Sequence, residues 1–111
     1  MVDLSFLENF TKGNGAKMKR YIQLYLQIAP ECLGRMKKNI GDENWKDLAI
    51  NAHSLKPQAD FMGIATLKET LINIEDAVKQ GKIEPLEGLY EQAYQLHEEA
   101  TAILNEKLNS N

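Results

Sequence analysis

Cysteine is almost missing from this chain: Cys32 stands alone among 111 residues. No intramolecular disulfide can form, and no Cys/His set has the spacing of a structural zinc site. Set among Leu33, Met36 and Ile40 in a helical pattern, Cys32 reads as a small buried hydrophobe rather than a reactive thiol. Histidine is nearly as scarce, with only His53 and His97. Long apolar runs are lacking, which argues against a membrane span, and the N-terminus lacks the basic-then-apolar pattern of a signal peptide. A cytoplasmic location is therefore expected. Neither sign of charge dominates: 16 acidic and 13 basic residues give a net charge of -3, and no segment carries the basic stripe that nucleic acid requires. Period-two alternation of β-branched residues is also lacking, so strands are hard to place.

What is present is helical periodicity, in a length that suits one domain (residues 1–111) with one core. Asp3 is a candidate N-cap for a short helix with apolar residues at Leu4, Phe6, Leu7 and Phe10, ended by Gly13-Asn14-Gly15. From Ala16, the stripe Met18, Tyr21, Ile22, Tyr25, Leu26 and Ala29 marks a second helix. Pro30 interrupts it and Cys32, Leu33, Met36 and Ile40 resume it, so a kink or a restart is expected before Gly41 closes it. Asp42 then caps a helix with the face Trp45, Leu48, Ala49, Ala52, Leu55, Ala59 and Met62, stopped by Gly63. Ile64, Leu67, Leu71, Ile74 and Val78 form the next, stopped by Gly81. Ile83 to Leu108 forms the last, with Pro85 in its first turn. Four long helices with short connections predict an all-α fold: an antiparallel up-down-up-down four-helix bundle with an extra short N-terminal helix. A monomer is the expectation for one well-covered core.

The stretch that could carry chemistry is Asn51-Ala52-His53-Ser54-Leu55-Lys56-Pro57-Gln58-Ala59-Asp60-Phe61-Met62-Gly63. At about 100° per residue, His53, Lys56, Pro57 and Asp60 share a stripe with Lys46, Ala49 and Ile50 on the shoulder of the apolar face. A neutral imidazole there is nucleophilic at one ring nitrogen, and Lys56, one turn on, can meet an anion attached to it. That combination suits transient capture of a phosphoryl group. A zinc hydrolase would need more ligands than His53 and His97 supply. A serine nucleophile would have to be Ser54, which points about 100° away on a helix. Spacing alone leaves His53 and Lys56 open between phosphoryl chemistry and an ordinary solvated face.

The run Ala52-His53-Ser54-Leu55-Lys56, with Met62-Gly63 and later Ile74-Glu75, resembles the signature of histidine-containing phosphotransfer (HPt) domains over nearly the whole chain. The resemblance implies a free-standing phosphorelay carrier whose His53 takes a phosphoryl group at Nε2, between aspartates of response-regulator receiver domains fed by a hybrid sensor histidine kinase. It implies that Lys56 supports the phosphoryl oxygens and that Glu75, on the next helix, bonds the other imidazole nitrogen and fixes its tautomer. It also places Lys79 near the phosphate as a second basic residue. Such a chain is a carrier rather than an enzyme. It needs no cofactor of its own, since it has no nucleotide loop and no carboxylate cluster for Mg²⁺, which the partner receiver is expected to bring.

A docking surface is expected around His53, with Ala49, Ile50, Pro57 and Phe61 at its centre and Lys46, Lys56, Asp60 and Lys79 outside. Phe61 is the one large residue off the core stripe, either an exposed contact anchor or a ring partly buried against a neighbouring helix. Two residues depart from the family pattern. Pro57 stands where glycine is most frequent, removes the amide that would bond the His53 carbonyl and should kink the helix. Asp60 puts a negative charge on the active stripe, to pair with Lys56 or with a basic residue of the partner. Both favour the alternative reading, a helical adaptor or regulator that docks a receiver or kinase domain without phosphotransfer.

Overall fold

The computed structural model describes residues 2–110, and among them every regular element is a helix. They are α1 (Ser5–Phe10), α2 (Gly15–Gly41), α3 (Trp45–Phe61), α4 (Ala65–Lys79) and α5 (Leu86–Asn109). Each long helix packs on two others, α2 on α3 and α5, and α4 on α3 and α5, so the four close a ring around one core. Turns at 42–44, 62–64 and 80–85 are too short for anything but antiparallel neighbours. The bundle is 45 Å long and about 20 Å across, near the length of the 27-residue α2.

Each long helix contributes one stripe to the core. Ile22, Tyr25, Ala29 and Met36 come from α2, Leu48, Ala52, Leu55 and Ala59 from α3, Leu67, Leu71 and Ile74 from α4, and Ala93, Ala100 and Leu104 from α5. Cys32 lies in the same core. α1 inserts only Leu7; Phe6 and Phe10 are each 57% exposed and rest edge-on against Phe61.

Several boundaries differ from the sequence reading. Pro30 does not restart a helix: α2 runs through it unbroken, with the proline at an exposed position. Gly41 remains inside α2, and the left-handed residue after it is Glu43, at φ +54°. The turn is a Schellman closure, with the Asn44 amide donating to the Asn39 carbonyl and that of Glu43 to Ile40. Asp42 therefore does not cap α3; it pairs with Lys38 at 2.9 Å, and Asn44 caps α3 by accepting from the Asp47 amide. At the N-terminus, Leu4 holds the cap position of α1, while Asp3 Oδ1 accepts from the Ser5 amide and hydroxyl. α5 begins only at Leu86, leaving Ile83 half exposed.

Gly63 and Gly81 end α3 and α4 as expected, both in the left-handed region. Gly63 carries a second constraint, since the Asp3 amide donates to its carbonyl at 3.0 Å and a Cβ added there would lie 1.7 Å from the Asp3 oxygen. Nothing lies within 4 Å of a Cβ added at Gly81. Gly81→Ala should therefore cost only left-handed strain, about 1–2 kcal/mol, and Gly63→Ala more than that in denaturant unfolding.

His97 is buried in the core-facing stripe of α5. Burial drives the Tyr25 phenol far above its ordinary pKa, so it keeps its proton and donates to His97 Nδ1 at 3.0 Å. The ring proton then sits on Nε2, facing Thr101 Oγ1, while that hydroxyl donates to the His97 carbonyl. A second ring proton would take away the acceptor of Tyr25. Burial accordingly lowers the His97 pKa, against a smaller opposing pull from Glu98. A histidine that resists protonation when folded leaves full stability above its unfolded value of about 6.5, and stability is lost as pH falls through it. Thermal melts from about pH 7.5 to about pH 5 should show a loss of up to about 1.4 kcal/mol per pH unit, and His97→Gln should flatten that slope.

Candidate functional site

The candidate site lies where α3 faces α4. Ala52, Leu55 and Ala59 turn inward from α3 and are fully buried, and this leaves His53 outward with 68% of its side chain exposed, more open than a half-shielded shoulder position. On α4, Glu75 follows the buried Ile74, and only 6% of it is exposed. A carboxylate this deep needs partners for its charge. Glu75 has two: Oε2 lies 2.9 Å from His53 Nδ1, and Oε1 lies 2.5 Å from Lys56 Nζ. The Lys56 side chain is 23% exposed.

Burial pushes the Glu75 carboxyl upward. Hydrogen bonds and charge from Lys56 and His53 outweigh it, and the net pKa falls below 4.5. Glu75 is thus ionised at neutral pH and can only accept hydrogen bonds. It follows that His53 Nδ1 carries the ring proton and donates it to Oε2. In the neutral ring the lone pair is then on Nε2, the nitrogen away from Glu75. The site joins a buried carboxylate, the lysine ammonium bonded to it and an exposed imidazole held at Nδ1.

The other residues expected at the site are distributed around it. Lys46 is exposed at the start of α3, Ala49 is half-buried, Ile50 is 52% exposed and Pro57 is exposed one turn beyond His53. α3 passes through Pro57 without a break. Asp60 pairs with Lys68 of α4 at 3.2 Å and not with Lys56, whose ammonium the buried Glu75 holds more strongly than an exposed aspartate could. Phe61 is half-buried, its ring edge against Phe6, Phe10 and Tyr21. Lys79 is exposed and forms no ion pair with another described residue. The bond between Lys56 and Glu75 is the contact that sequence reasoning missed; its signal was that any α4 group reaching the His53 ring also comes within range of a lysine three residues on.

A cavity of about 590 Å³ runs between α2 and α5 and is lined by Pro30, Tyr90, Tyr94 and His97, none of them on the His53 face. Among the described residues, no group of three or more His, Cys, Asp or Glu side chains could hold a metal ion.

A family model described as "Hpt domain" matches residues 20–106. No curated protein and no solved structure gives a significant match.

Ionised pairing of Glu75 contributes stability above the unfolded carboxyl range, and this is lost as pH falls through the lower folded value. Followed by carbonyl-detected NMR, Glu75 should titrate with a midpoint below 4.5, and Lys56→Met should raise that midpoint.

Proposed function

This chain belongs to the Hpt domain family, and from that premise we propose that it is a phosphorelay carrier. His53 receives a phosphoryl group from the aspartyl phosphate of one response-regulator receiver domain and passes it to an aspartate of another. The carrying observation is the Glu75 bond to Nδ1, which leaves Nε2 as the open nitrogen of an exposed ring.

In the forward step the Nε2 lone pair attacks phosphorus. An N–P bond forms as the P–O bond to the aspartate breaks, and that electron pair departs on the aspartate carboxylate. The Nδ1 proton stays in its bond to Glu75, whose negative charge offsets the positive charge the ring acquires. Transfer to the second receiver reverses these events. Glu75 keeps the ring from rotating between the two steps, so both partners meet Nε2 in the same place.

The chain acts here as a carrier and not as an independent catalyst, with Mg²⁺ and the remaining transfer groups supplied by the receiver. A hybrid sensor histidine kinase is the upstream source. The docking face comprises the exposed Ile50 and Pro57 and the half-buried Ala49 beside His53, with Lys46, Asp60 and Lys79 at the rim and Phe61 at the α1 end. No helix among the described residues is long and apolar enough to cross a membrane; the carrier works as a cytoplasmic monomer.

Incubation with a receiver domain phosphorylated by acetyl phosphate should move acid-labile label onto this chain, and His53→Gln should abolish it. Label on the His53→Gln chain equal to wild type would sink the assignment. Stable binding of the receiver with no label transferred would instead favour an adaptor that docks without phosphotransfer.

A further inference from the structure

We propose that Lys56 is a positioning residue: it acts on His53 through Glu75, holding the carboxylate as an anion so that the imidazole keeps its lone pair on Nε2. The inference deepens the phosphocarrier reading and rests on it for its consequence in transfer. It differs from a role in which the Lys56 ammonium binds the phosphoryl oxygens directly.

The geometry divides Glu75 between its two neighbours. Oε1 faces Lys56 Nζ at 2.5 Å and Oε2 faces His53 Nδ1 at 2.9 Å, while only 8% of the glutamate side chain meets solvent. Water therefore does little to hold the charge on this carboxylate. With Lys56 present, the carboxylate is an acceptor, and Nδ1 must donate. Without a cation beside it, a buried carboxyl favours its protonated form. With one proton taken up from solvent, its O–H would donate to Nδ1 and the ring proton would sit on Nε2, removing the nucleophilic lone pair from the exposed side. A lysine that never touches phosphorus can decide in this way which nitrogen attacks.

Two further observations favour the indirect role. The Lys56 side chain is largely covered whereas the His53 ring is open, and the ammonium is bonded to the buried carboxylate of Glu75. Its contact joins α3 to α4 and shares its carboxylate with the imidazole, so a move toward an incoming anion would give up the bond that balances Glu75.

The test uses the full chain and four forms: wild type, Lys56→Met, Glu75→Gln and the double variant. Ring nitrogen NMR of His53 needs no partner. It should find the proton on Nδ1 in wild type and displaced toward Nε2 in Lys56→Met; an unchanged Nδ1–H tautomer in Lys56→Met overturns the inference. In the second arm, label uptake from a phosphorylated receiver should slow by about tenfold or more on Lys56→Met with Glu75 in place. The same substitution should cost nothing in the Glu75→Gln background, where there is no carboxylate charge to balance. Equal slowing in both backgrounds would mean direct contact with the phosphoryl group and would overturn the proposal. Should Lys56→Met alone fail to fold, the double variant compared with Glu75→Gln decides: no slowing supports the indirect role, and slowing refutes it. A wild-type chain that accepts no label from receivers would defeat the phosphocarrier reading, while the tautomer arm would still decide this one.

Discussion

A single carboxylate held between two helices organises the functional face of this bundle. Glu75 is the only acidic side chain buried among the described residues, and it is tolerated because Lys56 and His53 satisfy both of its oxygens. Replacing such a trio by apolar side chains of similar volume is often neutral or even stabilising in other proteins, so the trio is weak evidence of a stability device. Its effect is on direction. The imidazole is pinned at Nδ1, which fixes the position of the other ring nitrogen. The bundle supplies the rest by keeping Ala52, Leu55 and Ala59 packed beneath the same turn of α3.

Helix order, the stripes that face the core and the position of His53 were all legible in the sequence, because apolar spacing at three and four residues is written locally. Gly63 and Gly81 were legible for the same reason: both end their helices in the left-handed region. The end of α2 was not. There Glu43 occupies the left-handed position, although glycine is two residues earlier. The Schellman hydrogen bonds and the Asn44 cap decide where the turn falls, and a non-glycine residue absorbs strain of about 1 kcal/mol or more at that point. Local propensity ranks the candidates for a turn, but hydrogen bonds made on both sides of it choose among them.

The site was legible to the same depth. His53 and Glu75 could be brought together because a motif links them across a known helix turn. The partner of Lys56 could not, since Asp60 on its own helix was the evident choice by i,i+4 spacing. The structure sends Lys56 to Glu75 and Asp60 to Lys68, two cross-helix pairs in place of one along the helix. The physical reason is the difference in solvation. An exposed aspartate gains little from an ammonium that water already replaces, whereas a buried glutamate gains a great deal. Pairing therefore follows burial, which a one-dimensional pattern does not rank among competing acids.

The two histidines show how far environment divides one residue type. His97 accepts from Tyr25 at Nδ1 and keeps its proton on Nε2; His53 donates from Nδ1 to Glu75 and keeps its lone pair on Nε2. The neighbour at Nδ1 sets the tautomer in both cases, a hydroxyl that must donate in one and a carboxylate that must accept in the other. Burial then separates the outcomes. At His97 the second nitrogen is closed off by Thr101 in the core, so its lone pair and proton are consumed in packing. At His53 the second nitrogen belongs to an exposed ring, where a lone pair left unused by the fold is open to solvent.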